Sequence, residues 1–186
     1  MQLYKAHFST GAGENLHGTG PVHVSYSGRV PYPSGRRRTI NDMRLTTFTD
    51  YSLRVLIYLG AHGEQRAAVG DIADAYGISK NHLMKVILFL AAEGYVVTVR
   101  GRGGGLRLKV HPDRIRIGEV VRKAEAGSVL VECFSPSGSE CRIESACLLR
   151  RALYKASQAF YAVLDTYTLA DLVEKRAAIG RLLHIT

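Results

Sequence analysis

Cysteine occurs at three positions in the 186 residues, Cys133, Cys141 and Cys147, all within the stretch CFSPSGSECRIESAC. An odd number of thiols cannot pair completely into disulfides, and their confinement to one polar, serine-rich loop points to ligation or redox chemistry. Thiolates favour iron–sulfur clusters, zinc and copper(I). The C-x7-C-x5-C spacing differs from the short C-x2-C knuckles usual in zinc ribbons. Taken alone, the loop admits three readings: a metal or cluster site, a thiol redox switch, or cysteines with no shared task. A cluster ordinarily takes four protein ligands, so the first reading needs one more donor from outside the loop.

The rest of the composition bounds where such a loop can operate. A hydrophobic share of 46% supports a folded core. No apolar run approaches the roughly 18 residues of a membrane-spanning helix. The N-terminus, MQLYKAHFSTGAGENLHG, lacks the apolar stretch of a secretory signal. The expected location is the cytoplasm, whose reducing conditions favour metal or redox roles for clustered cysteines over structural disulfides. The formal net charge is +9; five of the 25 Lys and Arg and two of the 16 Asp and Glu fall in residues 1–42, leaving +6 on the remainder. That balance fits nucleic acid or an acidic surface as partner. No nucleophile–base or paired-carboxylate arrangement has recognisable spacing, so an enzyme is not expected.

The elements that must position the loop can be read in order. Residues 1–42 hold six glycines, three prolines and a GRRRT run, without helical or alternating period. They read as a disordered extension, as a basic arm for DNA backbone, or as a mis-assigned start, with translation beginning at Met43. Residues 43–112 are expected to form a winged helix-turn-helix domain. Thr46 and Asp50 open a first helix whose Leu53, Leu56, Ile57 and Gly60 follow helical spacing, and Gly63 stops it. VGDIADAYG is a second helix ending at Gly77, and Ser79 is a favourable N-cap for a third that runs to about Gly94. Helix, glycine-containing turn, helix is the helix-turn-helix pattern. YVVTVR and LRLKV joined by GRGGG then read as a hairpin, the wing.

On the third helix Ser79, Lys80, Asn81, His82 and Lys85 point outward, while Leu83, Val86, Ile87 and Leu90 face the core. Asparagine reads adenine and lysine reaches guanine or phosphate in a major groove. Arg100, Arg102, Gly103 and Arg107 of the wing suit phosphates or a minor groove. Residues 113–130 are a connector containing an amphipathic helix at 115–126, 131–147 are the cysteine loop, and 148–186 are a dimerisation helix with a C-terminal segment. In that helix Leu149, Ala152, Leu153, Ala156, Phe160, Val163, Leu164 and Tyr167 form one stripe. Its length of about 30 Å exceeds what one small domain covers. A homodimer is therefore expected, with two recognition helices set for a palindromic DNA site. The fold class is mainly α with a small β-hairpin.

MRLTTFTDYSLRVL, VRGRGGGLRL, VECFSPSGSECRIESACLLRRAL and YTLADLV together resemble the NsrR-like nitric-oxide-sensing repressors. These belong to the dimeric winged-helix family that includes the iron–sulfur regulator IscR. The resemblance spans 43–186 and makes 131–147 a cluster-binding loop. In IscR-like members a histidine three residues after the last cysteine completes the ligand set; here that position is Arg150. NsrR-like members use an aspartate near the start of the first helix, from the other subunit, which matches Asp50; Arg54, one turn later, is placed to support that carboxylate. The resemblance thus implies a cytoplasmic repressor holding an iron–sulfur cluster, [4Fe–4S] over [2Fe–2S], and releasing its operator when nitric oxide attacks. The rivals are a same-fold regulator of cluster supply or redox state and a zinc-stabilised, non-sensing DNA-binding protein.

Overall fold

The computed structural model describes residues 44–99, 101 and 104–185. The extension 1–42 with its three readings, and the wing residues Arg100, Arg102 and Gly103, lie outside the described residues. Helix α1 (Thr47–His62) begins where Thr46 accepts a hydrogen bond from the Thr49 N–H and ends at Gly63. Its Val55, Leu56 and Leu59 are fully buried, each such leucine contributing about 1.5–3 kcal/mol. Around this axis pack α2 (Val69–Tyr76) and α3 (Lys80–Ala92). The turn between them closes on Gly77, at φ 63°, a left-handed conformation that favours glycine. Buried Ile78 fills the turn, and the Ser79 hydroxyl accepts from the His82 N–H to start α3. Leu83, Val86, Ile87 and Leu90 all enter the core, as their spacing indicates.

The wing is an antiparallel pair, β1 (Val96–Val99) and β2 (Gly105–Leu108), in register Val96 to Leu108 and Val99 to Gly105. Ala67, between α1 and α2, exchanges backbone hydrogen bonds with Leu106 at 2.8 and 2.9 Å, which anchors the wing to the domain. Gly105 is required there, because a Cβ would stand 2.8 Å from the Ala67 carbonyl oxygen.

After the wing, α4 (Ile117–Ala124) buries Ile117, Val120 and Val121 against the domain. The cysteine loop follows, with tight turns at Glu132–Phe134 and Glu144–Ala146, and leads into α5 (Leu148–Asp165). None of the described residues of α5 is buried. The chain then returns: Arg116 and Thr168 form a bridge, and α6 (Leu169–Leu172) and α7 (Arg176–Leu182) pack on α1. Leu169 is fully buried and Val173 nearly so. Part of the segment grouped above with the dimerisation helix therefore completes the core formed by α1 to α4.

One carboxylate ties the end of α4 to the start of α1. Glu125 Oε1 accepts from the Thr46 N–H at 2.8 Å, the Thr46 hydroxyl at 3.0 Å and the Thr49 hydroxyl at 2.5 Å. Partial burial opposes its ionisation, but the bonds from Thr49 and Thr46 outweigh this and hold it below the ordinary value of 4.5. A depressed carboxylate contributes stability above its unfolded-state value and loses it as pH falls through the lower folded value. Glu125→Ala is expected to cost about 1–2 kcal/mol near neutrality, measured by urea unfolding. The gap to wild type should close as pH drops below the ordinary glutamate range; a gap independent of pH would show that packing sets it.

Candidate cluster site and nucleic-acid interface

Two faces carry the residues singled out in the sequence. On α3, Ser79, Lys80, Asn81, His82 and Lys85 are exposed on one side of the helix, opposite its core face. Tyr51 of α1 lies beside them, its ring centroid 6.4 Å from that of His82. Met84 and Leu88 are exposed on the same helix. Tyr51, Met84 and Leu88 were not anticipated. A tyrosine and two apolar residues inside amphipathic runs carry no sequence signal separating them from core positions. Arg107 is exposed on the outer face of β2, while neighbouring Leu106 is buried on the inner face. Its guanidinium donates to the Leu108 carbonyl at 3.4 Å.

The cysteine loop is organised by its own polar groups. Glu132 accepts from the Glu140 N–H at 3.0 Å, drawing together the two ends of the segment between the first and second cysteines. The Ser139 hydroxyl accepts from the Cys141 N–H at 3.0 Å. Phe134 meets Tyr154 edge-on, ring centroids 6.4 Å apart, so the first turn docks on α5. Cys147 is the N-cap of α5, and its Sγ accepts from the Arg150 N–H at 3.4 Å.

Arg150, which stands where IscR-like proteins are expected to carry histidine, has a different task here. Its Nε donates to the Cys133 carbonyl at 3.3 Å, and its guanidinium pairs with Glu144 at 3.4 Å. One side chain thus clamps the first cysteine to the helix that the last cysteine begins. Cys141 and Cys147 share a depression with Arg150 and Arg151, while Cys133 opens on a neighbouring one of about 640 Å³.

The donor set suits a thiolate-ligated centre: all three thiols are free, Cys133 and Cys147 half-buried and Cys141 exposed. Among the described residues, however, no three ligand-type side chains gather at one point within a single chain. Asp50 is on α1, lines neither depression, and pairs with Arg54 at 2.9 Å. Arg54 also lies 5.7 Å over the ring of Tyr76, whose hydroxyl is pushed up to about 12, chiefly by burial. One chain therefore holds three sulfur donors on a loop and a carboxylate elsewhere, without assembling them.

The sequence model of the Rrf2 family, described as an iron-dependent transcriptional regulator, matches residues 45–175. The chain belongs to the Rrf2 family. The HTH-type transcriptional regulator NsrR of Bacillus subtilis (strain 168) is 52% identical over 144 residues, 77% of this chain and 99% of that protein. Its counterpart in Geobacillus kaustophilus (strain HTA426) is 50% identical over 142 residues, 76% of this chain and 97% of that protein. Among solved structures, T. potens IscR superposes with a TM-score of 0.56 at 25% identity, covering 72% of this chain and 88% of that one. These Rrf2 relatives bear out the resemblance and the winged-helix class, and they are regulators rather than enzymes.

The loop geometry has a direct chemical readout. Reduced protein freed of metal should release three titratable thiols per chain without denaturant, resolved by peptide mass spectrometry. Cys141 should react first, ahead of half-buried Cys133 and Cys147. A thiol that reacts only after unfolding would contradict the open loop described here.

Proposed function

We propose that the protein is a cytoplasmic, homodimeric transcriptional repressor that binds a palindromic double-stranded operator and senses nitric oxide through an iron–sulfur cluster. The carrying observation is the placement of three free thiols on the loop that launches α5, a helix whose first half leaves Leu148, Leu149 and Tyr154 exposed. The percentage identity to regulators named NsrR adds support. The ligands would be Cys133, Cys141, Cys147 and Asp50 of the partner subunit, with [4Fe–4S] favoured over [2Fe–2S]. When bound, the cluster supplies iron that nitric oxide can attack.

The chain's own residues do the rest. A second copy covers the exposed stripe of α5, in which Leu149 is 64% exposed. Pairing through α5 sets two recognition helices about one DNA turn apart. Ser79, Lys80, Asn81, His82 and Lys85 face the major groove, and Arg100, Arg102, Gly103 and Arg107 follow the phosphates. Asp50 follows closely on the α1 N-terminus that Glu125 ties to the root of the cysteine loop. A ligand set divided between that helix and the partner's loop makes ligation depend on dimer geometry. Its loss would relax the loop and the separation of the half-sites, and a misaligned dimer cannot satisfy both together.

The test follows DNA binding by anaerobically reconstituted protein during titration with nitric oxide, peroxide and apo-protein cluster acceptors. Release by nitric oxide is expected; indifference to it would sink the sensing role and favour a sensor of cluster supply or redox state. A colourless, iron-free protein that binds its DNA normally would refute the cluster itself. Cys141→Ala should lose the visible absorbance and remain dimeric by sedimentation. Lys85→Ala should lower the slope of log affinity against log salt by about 1, keeping the absorbance.

A further inference from the structure

The last turn of α4 makes contacts that the cluster and DNA faces leave unexplained. Arg122 Nη1 donates to Asp165 Oδ1 at 2.9 Å and Nη2 pairs with Oδ2, a two-pronged clasp on the last residue of α5. The same guanidinium lies 5.1 Å over the Tyr161 ring. Arg116, just before α4, donates to the Asp165 carbonyl at 3.1 Å. Two cations thus close on the negative end of the helix dipole. Gly118 makes the approach possible, since a Cβ there would press on the Asp165 carboxylate and stand 2.9 Å from its backbone nitrogen. Immediately beyond, Ile117 N–H donates to the Tyr167 carbonyl at 3.0 Å and Leu169 N–H to the Ile115 carbonyl at 2.9 Å.

The next residue turns to another element. Lys123 Nζ stands 3.1 Å from Glu93, the C-cap of α3, and 2.8 Å from Glu119, and it lies 5.0 Å over the Tyr95 ring. Adjacent residues of one short helix therefore hold the end of α5 and the end of the recognition helix. Exposed ion pairs add little stability, but a two-pronged arginine–carboxylate contact fixes orientation. Eighteen helical residues reach about 27 Å. A tilt of about 5° at this junction would move the far end of α5 by about 2 Å.

Resting on the dimeric, operator-binding reading above, we infer that the Arg122–Asp165 clasp, seated on Gly118, sets the angle between α5 and the recognition helix. It thereby determines which half-site spacing the dimer accepts. Arg122 and Asp165 are positioning residues and do not touch DNA. The experiment selects an operator from random duplex DNA with the wild-type holoprotein. Affinities are then compared for that operator, versions with one base pair added or removed between half-sites, and a single half-site.

Arg122→Ala and Asp165→Asn should each reduce the preference for native spacing at least about fivefold, leaving half-site affinity, dimer mass and visible absorbance unchanged. The double variant should lose no more than either single, because both remove one contact. Gly118→Ala, which displaces Asp165 without altering charge, should shift the preferred spacing. Single variants that keep the full preference, losses that add in the double variant, or equal weakening on every duplex including the half-site would overturn the inference. A wild-type protein indifferent to spacing would instead bring down the dimeric reading beneath it.

Discussion

Helix α5 is covered unevenly: Phe160, Tyr161 and Leu164 near its C-terminus pack against the core, while Leu148, Leu149 and Tyr154 in its first half stay exposed. Its first two residues, Leu148 and Leu149, are 74% and 64% exposed. At the N-terminus Cys147 caps it and Arg150 clamps it to the carbonyl of Cys133. At the C-terminus Arg116 and Arg122 hold Asp165. Exposed apolar residues in that first half are expensive for a single chain in water. That requirement for cover is the physical reason to read the helix as a seam between copies.

The short helix α4 is where the anchors meet. Its apolar face, Ile117, Val120 and Val121, is committed to the domain core. Its polar face and the residue after it are distributed outward: Arg122 to α5, Lys123 to the end of α3, Glu125 to the start of α1. Lys123 is held protonated by its bond to Glu119, then by Glu93, and Glu119 is in turn kept ionised chiefly by Lys123. These ties are individually modest, but they share one rigid support whose buried face leaves it little freedom. The segment leading into the cysteine loop therefore has a short, packed connection to both α5 and α3.

The locally coded features were legible. Thr46, Gly63, Gly77 and Ser79 mark helix ends through hydrogen bonds and backbone conformations spanning a few residues, and each sits where its chemistry indicates. The core face of α3 follows from periodicity, and the hairpin from two β-rich runs joined by glycines. Contacts between distant residues were not legible. Glu125 and Thr46 are 79 residues apart, and nothing in either neighbourhood announces the other. Leu169 and Val173 fell in the C-terminal segment after the dimerisation helix with no place assigned to them, yet the Arg116–Thr168 bridge turns the chain back and buries them.

The candidate site divides the same way. Residue type and spacing alone determined that three thiols share one loop and that a helix-turn-helix precedes them, because residue chemistry and helical period are written in adjacent residues. Only the tertiary structure decided that Arg150 bridges the loop's two ends, that Asp50 lines neither depression beside the thiols, and that α4 and the residue after it contact α1, α3 and α5. Those facts depend on which side chains meet once the core has closed, and close packing settles that for the whole chain at once.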